Sequence, residues 1–179
     1  GLTMAIAQVV MVMLMVITSL HMSHHHHELS SIAAVMSSHV FGMYAFSVVS
    51  GRFADRFGRG PLIGAGSAVL VISCLTATLS TEVAPLAFSL FLLGLGWNFC
   101  YVGGSTLLSD SLSQAERARI QSVNDFVLTT LAGTGSALSG LVFSTVGYAV
   151  MGYVSALVSL VLFGLSLRVT RAARRAKSA

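Results

Sequence analysis

Charged residues are scarce in this sequence: Asp, Glu, Lys and Arg make up only 9% of its 179 residues. Soluble domains carry about 25% charged residues. Because 55% of the residues here are hydrophobic, the protein surface cannot face water on every side. Proline is also scarce, with two residues in the whole chain, so little interrupts long helices. The scarcity of charge excludes an ordinary soluble domain and indicates a membrane protein.

Cysteine occurs only twice, and both Cys74 and Cys100 lie in apolar runs. We expect them to be free thiols buried in a bundle rather than a disulfide. The sequence has no nucleophile elbow, no P-loop and no paired catalytic carboxylates, so we expect neither an enzyme nor a cofactor. No metal site is expected either, although the run 24–27 of four histidines is open to two interpretations, a solvated loop or weak Zn or Ni capture. The net charge is +4, but aromatic residues do not alternate with the basic ones as they do in a nucleic-acid-binding surface. We therefore expect no nucleic-acid partner.

Long apolar runs are what the sequence has in abundance. A helix that spans a bilayer needs about 20 mostly apolar residues. Six segments meet this requirement, at residues 2–20, 30–51, 61–80, 83–107, 120–142 and 146–167. They predict an all-α membrane protein with a six-transmembrane-helix bundle over residues 1–168 and a basic tail over residues 169–179.

The basic residues follow a strict pattern along the chain. All ten fall in the second-to-third connection, the fourth-to-fifth connection and the tail, at positions within 52–59, 117–119 and 168–177. Basic residues are retained on the cytoplasmic side of a membrane. We therefore expect an integral protein of the plasma or inner membrane, embedded in the lipid bilayer, with both chain ends in the cytoplasm.

The connection between the second and third predicted spans carries the most informative local sequence. It reads Gly-Arg-Phe-Ala-Asp-Arg-Phe-Gly-Arg-Gly over residues 51–60. A glycine, three residues, an aspartate, a basic residue, one residue, a glycine and then a basic residue resemble the loop signature of the major facilitator superfamily. The matching residues are Gly51, Asp55, Arg56, Gly58 and Arg59. Gly60 stands where the signature has another basic residue, which weakens any lock made at that position.

The resemblance implies a fold and a mode of action. Members of this family are twelve-helix transporters made of two six-helix halves, which rock about a substrate path near the bilayer midplane. It implies that Asp55, Arg56 and Arg59 form contacts that hold one access state, with Gly51 and Gly58 as packing and turn positions. The implied function is secondary active transport of small organic solutes, with proton-coupled export as the expected mode, so the expected partners are a small-molecule substrate and protons.

Several features favour the C-terminal half, helices seven to twelve. The chain starts abruptly inside a helix, which we interpret as a cut edge, and it ends in a basic tail. The fifth segment lacks the Gly-Pro pair typical of the fifth helix of antiporters in the family. The expected partner is then the missing N-terminal six-helix half. Three alternatives stay open, namely a self-dimerising six-helix protein, a non-transporting scaffold or receptor on the same fold, and a channel, which the isolated polar positions favour least.

Polar residues inside predicted spans usually face a bundle interior or a cavity. Six residues are candidates for the substrate path because of their position and helical spacing: Gln8, His39, Met43, Trp97, Asn98 and Tyr101. For His39 the alternative is a neutral imidazole bonded to a neighbouring helix, and for Asn98 it is hydrogen bonding between packed helices. Methionines such as Met43 are more often core than pocket.

Two carboxylates lie close to the expected cytoplasmic interface. Asp110 ends the fourth span, and Asp125 follows the start of the fifth helix. Ser113 and Glu116 have the spacing of a capping box, so we expect this helix to begin in the preceding loop. For both aspartates we favour an ion pair with Arg117, Arg119 or an arginine of the signature loop, and a coupling role is the alternative.

Overall fold

The computed structural model describes residues 1–110 and 112–178, and for residues 169 and 171–178 it describes the backbone alone. Every regular element in the described part of the chain is an α-helix. The helices are α1 (Leu2–His24), α2 (Leu29–Tyr44), α3 (Ser47–Phe57), α4 (Arg59–Ala77), α5 (Val83–Asp110) and α6 (Gln114–Ser178). Five helical stretches are long and apolar enough to cross a membrane, with α2 and α3 counted as one. The predicted all-α membrane bundle is confirmed.

Helix α6 is too long to cross a bilayer once. Its apolar stretch Gln114–Arg168 has 55 residues, or about 80 Å at 1.5 Å per residue, against a hydrocarbon core of about 30 Å. At Gly147 the backbone leaves the helical region, with φ 77° and ψ 173°. This conformation is essentially restricted to glycine. Gly147 therefore divides α6 into segment α6a (residues 114–146) and segment α6b (residues 148–178).

The start of α6 agrees with the sequence prediction, and its end lies beyond the last predicted span. The start of α6 at Gln114 matches the expected capping box, since the Glu116 carboxylate accepts a hydrogen bond from the Ser113 backbone N–H at 3.1 Å. Helix α6 continues through the predicted basic tail as far as Ser178. Alanines and arginines favour helix, so a composition rich in them extends the last helix beyond its apolar part.

Helix α5 lies at the centre of the bundle and packs against α1, α2, α3 and α4. Glycines set its closest approaches. A methyl group added at Gly94 would collide with the His39 carbonyl of α2, and one added at Gly96 would lie 2.9 Å from the Gly66 carbonyl of α4. Small residues let membrane helices approach closely. Segment α6b packs on α4 through Gly152 and Thr78.

The connections gather at two ends of the bundle. At the basic end, Arg59 pairs with Asp110, and Gly60 abuts Thr170, so the arginine-bearing connections and the start of the tail lie together. At the opposite end, the His27 ring lies 2.9 Å from the Thr81 carbonyl, which joins the first and third loops. The alternation of basic and neutral connections in the sequence thus corresponds to two distinct ends of one bundle.

Candidate functional site

A single residue, Gly58, connects α3 to α4 in the signature loop. Its φ of 96° and ψ of 161° fall in a region that only glycine adopts readily, so the turn position expected for Gly58 has a backbone reason. Gly51 is different. A methyl group added there would meet nothing within 4 Å, so no packing against the described residues explains this glycine.

Arg59 is the centre of the loop's electrostatic contacts. Its Nε lies 2.9 Å from Asp110 Oδ2, and its Nη2 lies 3.8 Å from Asp55 Oδ1. The Nε–H is not aligned with the Asp110 oxygen, so this contact is an ion pair rather than a directed hydrogen bond. Nη1 also donates to the Ala54 carbonyl at 3.4 Å. One guanidinium therefore joins the end of α3 to the end of α5.

Asp55, Arg56 and Phe57 of the loop are oriented towards solvent. The Arg56 guanidinium carbon lies 5.4 Å from the centroid of the Phe57 ring, and both side chains are exposed. The Asp55 side chain is 76% exposed, against 28% for that of Arg59. Gly60 departs from the signature for a steric reason, because a side chain there would run into Thr170.

Asn98 is buried, and its side chain hydrogen-bonds to residues on both sides of the break between α2 and α3. Helix α2 ends at Tyr44 and α3 begins at Ser47. The Asn98 Nδ2 donates to the Met43 carbonyl at 2.7 Å and to Ser47 Oγ at 3.0 Å, while its Oδ1 accepts from Ser50 Oγ. The amide is fully engaged in holding the interrupted span. Met43 takes part through its backbone carbonyl, and its half-buried side chain packs against the core.

His39 is also buried, between α2 and α5. Its Nδ1 lies 3.1 Å from the Leu90 carbonyl, and because a carbonyl can only accept, Nδ1 carries a proton. Its Nε2 is buried without a hydrogen-bond partner in the described part of the chain. The ring therefore contacts a neighbouring helix and does not reach an open face of this bundle.

The remaining path candidates form a connected group on α1 and α5. Trp97 Nε1 donates to Gln8 Oε1 at 2.8 Å. The Trp97 and Tyr101 rings stack with centroids 4.9 Å apart. The structure thus brings Gln8, Trp97 and Tyr101 together, whereas His39 and Asn98 contact other groups.

Asp125 does not have the arginine partner that we expected. Its Oδ1 accepts from Gln121 Nε2 at 2.9 Å and from Asn124 Nδ2 at 3.5 Å. No arginine among the described residues lies within ion-pair distance of it. Arg117 is directed instead to the Leu112 carbonyl at 3.3 Å. The i, i+4 spacing supplies a nearer partner on the same helix face, which is why the amide of Gln121 takes the place of an arginine.

Comparison with protein families identifies the fold that these contacts stabilise. The sequence model described as Major Facilitator Superfamily matches residues 1–179, the whole chain. The chain belongs to the major facilitator superfamily. The resemblance carried by the loop at residues 51–60 is thereby confirmed, and the chain is an integral membrane protein of a family of transporters rather than enzymes.

Individual relatives of this superfamily chain are named as transporters. It is 35% identical over 161 residues to the uncharacterized MFS-type transporter YdeG of Bacillus subtilis, covering 89% of the chain and 37% of that relative. It is 30% identical over 146 residues to the riboflavin transporter RfnT of Brucella anthropi, covering 81% and 37%. It is 27% identical over 143 residues to the multidrug resistance protein MdtL of Escherichia coli, covering 80% and 37%. The chain spans little more than a third of the length of these relatives.

Several residues of this major facilitator chain have roles that sequence analysis missed. Ser47 and Ser50 hold the Asn98 amide, and their three-residue spacing on one helix face was the available signal. Tyr148 bonds Thr18 at 3.0 Å across 130 positions of sequence, and no local pattern predicts such a pair. Within the described residues, no group of three or more His, Cys, Asp and Glu side chains is placed to hold a metal ion.

Proposed function

We propose that the intact protein is a secondary active transporter of small organic solutes that works by alternating access. In this proposal the chain supplies its C-terminal six-helix half, helices seven to twelve. The observation that carries the proposal is the Arg59 bridge in the signature loop, between Asp110 at 2.9 Å and Asp55 at 3.8 Å. An arginine placed between two carboxylates at unequal distances can exchange partners at low cost.

The partly exposed position of this bridge suits a contact that forms and breaks. Ion pairs at solvent-exposed positions contribute about 0–1 kcal/mol each, so their rearrangement does not threaten the fold. The highly exposed Asp55 is free to pair with a group outside this chain, while Asp110 retains Arg59. This supports a role for Asp55, Arg56 and Arg59 in holding one access state of the transporter.

The open side of α6a supports a partner for this chain. Methyl groups added at Gly133, Gly135 or Gly140 would meet nothing within 4 Å. Glycines in membrane helices commonly mark close backbone approach. The missing N-terminal half is the partner that we propose for this surface, and a second copy of the chain is the alternative.

The location and the energy source are also part of the proposal. We propose that the basic end, with Arg52 and the other arginines, lies in the cytoplasm at the plasma or inner membrane. We further propose that proton movement drives export. The membrane protein named for multidrug resistance among the relatives supports export, and the riboflavin transporter supports a small organic solute.

Flux measurements in proteoliposomes test this function. The intact protein, purified and reconstituted, should move organic solutes across the membrane faster with an imposed pH gradient than without one, and a protonophore should abolish the difference. Protein-free liposomes provide the baseline. The absence of gradient-dependent flux for every solute tried would contradict the proposal and favour a scaffold or receptor on the same fold.

The signature loop provides a sharper test. We expect Asp55→Asn to slow transport roughly five- to tenfold, the size of a typical coupling between conformational states, while substrate affinity stays near that of the unmodified protein. Flux and equilibrium binding, measured on the same preparation, separate the two effects. Glu28→Gln, which removes one exposed carboxylate from the opposite end, is the matched control and should change neither. A loss of substrate affinity in Asp55→Asn would contradict a gating role.

A further inference from the structure

A groove runs along the surface of the bundle between α4 and α6b, with a volume of about 290 Å³. Its walls are formed mainly by Gly60, Gly64, Ala65 and Ala68 of α4 and by Phe163 and Leu167 of α6b. The two helices approach closely at the floor of the groove, where a methyl group added at Gly64 would lie 3.2 Å from Ser166 Oγ. The small side chains of α4 thus leave open space beside a close helix contact.

The two hydroxyl groups that border the groove are already hydrogen-bonded within their own helix. Ser166 Oγ donates to the Phe163 carbonyl at 2.7 Å, and Thr170 Oγ1 donates to the Ser166 carbonyl at 2.9 Å. The rest of the described lining is glycine, proline and apolar side chains. An occupant therefore meets no unpaired hydroxyl donor, which suits a hydrocarbon chain.

The helix faces that carry the groove also expose large apolar side chains. Ile72 and Leu75 continue the face of Ala68 at helical spacing, and they are 51% and 43% exposed. On α6b, Leu160 and Leu167 lie two turns apart on one face and are exposed as well. None of the described lining belongs to α6a, the segment on which we propose the partner half. These faces of α4 and α6b are therefore available to lipid.

The length of the groove matches one leaflet of a bilayer. It begins at the basic end of the bundle, where Gly60 abuts Thr170, and its lining on α4 extends to Ala68. These positions lie about 12 Å apart along the helix, at 1.5 Å per residue. Half of the hydrocarbon core of a bilayer is about 15 Å thick. The groove thus runs from the membrane interface towards the midplane, as the acyl chain of a lipid does.

The mouth of the groove is positively charged. Arg168 directly follows Leu167 and is exposed, and no carboxylate of the described residues lies within ion-pair distance of it. Helical spacing continues this face of α6b at Arg171 and Arg174, and no acidic residue follows Asp125 in the sequence. Helix α4 also begins at this mouth without a side-chain cap, and helix N-termini attract anions. The charge at the mouth is complementary to an anionic headgroup.

We infer that this groove binds an anionic phospholipid, with one acyl chain between α4 and α6b and the phosphate group beside Arg168. Basic pockets between membrane helices bind anionic lipid headgroups. A zwitterionic lipid can fill the same groove with its acyl chain, but it gains little from the arginines. The inference concerns a lipid partner and does not depend on transport, so binding measurements alone decide it.

Two lipids with the same acyl chains and different headgroups test the site. Native mass spectrometry of the intact protein, delipidated in detergent, measures how much dioleoyl phosphatidylglycerol or dioleoyl phosphatidylcholine is retained. We expect saturable binding of phosphatidylglycerol, with an affinity about fivefold or more above that of phosphatidylcholine. Equal affinity for the two lipids would overturn the inference. Displacement of phosphatidylglycerol by an equal concentration of inorganic phosphate would also overturn it, because the site would then be one for free anions.

Substitutions locate the lipid in the groove. Ala68→Phe fills the groove and should weaken the binding of both lipids severalfold. Arg168→Gln should weaken phosphatidylglycerol binding about fivefold and leave phosphatidylcholine unchanged. The matched controls are Leu157→Phe, on an exposed part of α6b outside the groove, and Arg119→Gln, an exposed arginine outside the groove. Both controls should bind the two lipids normally.

The outcome stays decisive if one variant does not fold. Arg168 is exposed, so Arg168→Gln should fold even where Ala68→Phe does not. Unchanged phosphatidylglycerol binding in a folded variant of either kind would overturn the inference. If Ala68→Phe keeps normal lipid binding but lowers transport or dissociates an oligomer in the same mass spectra, a protein segment occupies the groove and the inference is wrong.

Discussion

Helix α5 and segment α6a have similar residue types and opposite surroundings. Both are apolar and rich in glycine. In α5, a methyl group added at Gly94, Gly96, Gly103 or Gly104 would come within 3 Å of another helix, whereas at Gly133, Gly135 and Gly140 in α6a it would meet nothing within 4 Å. The large apolar residues of α6a, such as Phe126 and Leu141, are also exposed.

The difference shows that glycine content does not determine how a membrane helix is used. In α5 each glycine lies against another helix of the same chain, so these glycines allow close packing within the 179 residues. In α6a the same residue type faces outward. The two regions should therefore respond in opposite ways to the same substitution.

The largest effect is expected at Gly94. In Gly94→Ala the new methyl group would overlap the His39 carbonyl and the Met43 backbone nitrogen. Because backbone atoms cannot move aside as a flexible side chain can, we expect a loss of about 2–3 kcal/mol in stability. The midpoint of thermal unfolding of the intact protein in detergent measures it.

Gly133→Ala in α6a is the matched control for Gly94→Ala. It places a methyl group where no described residue lies within 4 Å and improves helix propensity by up to about 1 kcal/mol, so the unfolding midpoint should fall much less than in Gly94→Ala. Equal destabilisation by the two substitutions would contradict the comparison between α5 and α6a.

A somewhat smaller loss is expected at Asn98. Replacement by alanine removes the hydrogen bonds to the Met43 carbonyl, Ser47 and Ser50, which should cost about 2 kcal/mol. Backbone amide hydrogen exchange in α3 should also become faster, because the start of α3 loses its hydrogen bonds to Asn98. Asn124→Ala in α6a, whose amide makes only contacts of 3.5 Å or longer, should cost less than about 0.5 kcal/mol.

The junction at Gly147 should be less sensitive than either of these sites. Its positive φ of 77° makes Gly147→Ala unfavourable by about 1–2 kcal/mol, although its surroundings are open. Gly164→Ala, which lies in the helical part of α6b and is equally open, should be neutral. An unfolding midpoint that is the same for both variants would show that Gly147 is not required for the turn.

The smallest effect on the stability of this bundle is expected at Gly140. Gly140→Leu adds a bulky side chain in open space, so the free energy of unfolding should change by less than about 0.5 kcal/mol. Transport by the intact protein should nevertheless fall severalfold if the partner half packs there. Normal transport would instead indicate that this side of α6a faces lipid.

The fold was largely predictable, because membrane helices are specified by local composition. The scarcity of charge and the long apolar runs predicted the helical bundle, and the residues of the signature loop predicted the family. The limits of α3 and the length of α6 were not predictable. The break after Tyr44 has no proline or glycine to mark it and depends on Asn98, which is 54 positions away in sequence.

The candidate site was only partly predictable for a related reason. Periodicity placed Trp97, Asn98 and Tyr101 on α5, but hydrogen bonds to α1 and α2 assigned them different environments. For Asp125 the sequence predicted an arginine partner, and in the structure its carboxylate accepts from Gln121, one turn earlier on the same helix.

The sequence by itself determined that the protein is embedded in a membrane, that its arginines lie in alternate connections between spans, and that the turn at Gly58 needs glycine. These properties depend on local composition and on the backbone of single residues. Only the tertiary structure decided that Arg59 bridges Asp55 and Asp110, that His39 and Asn98 are buried, and that α5 uses its glycines while α6a does not. Each of these depends on which helices lie side by side, and local sequence does not encode those contacts.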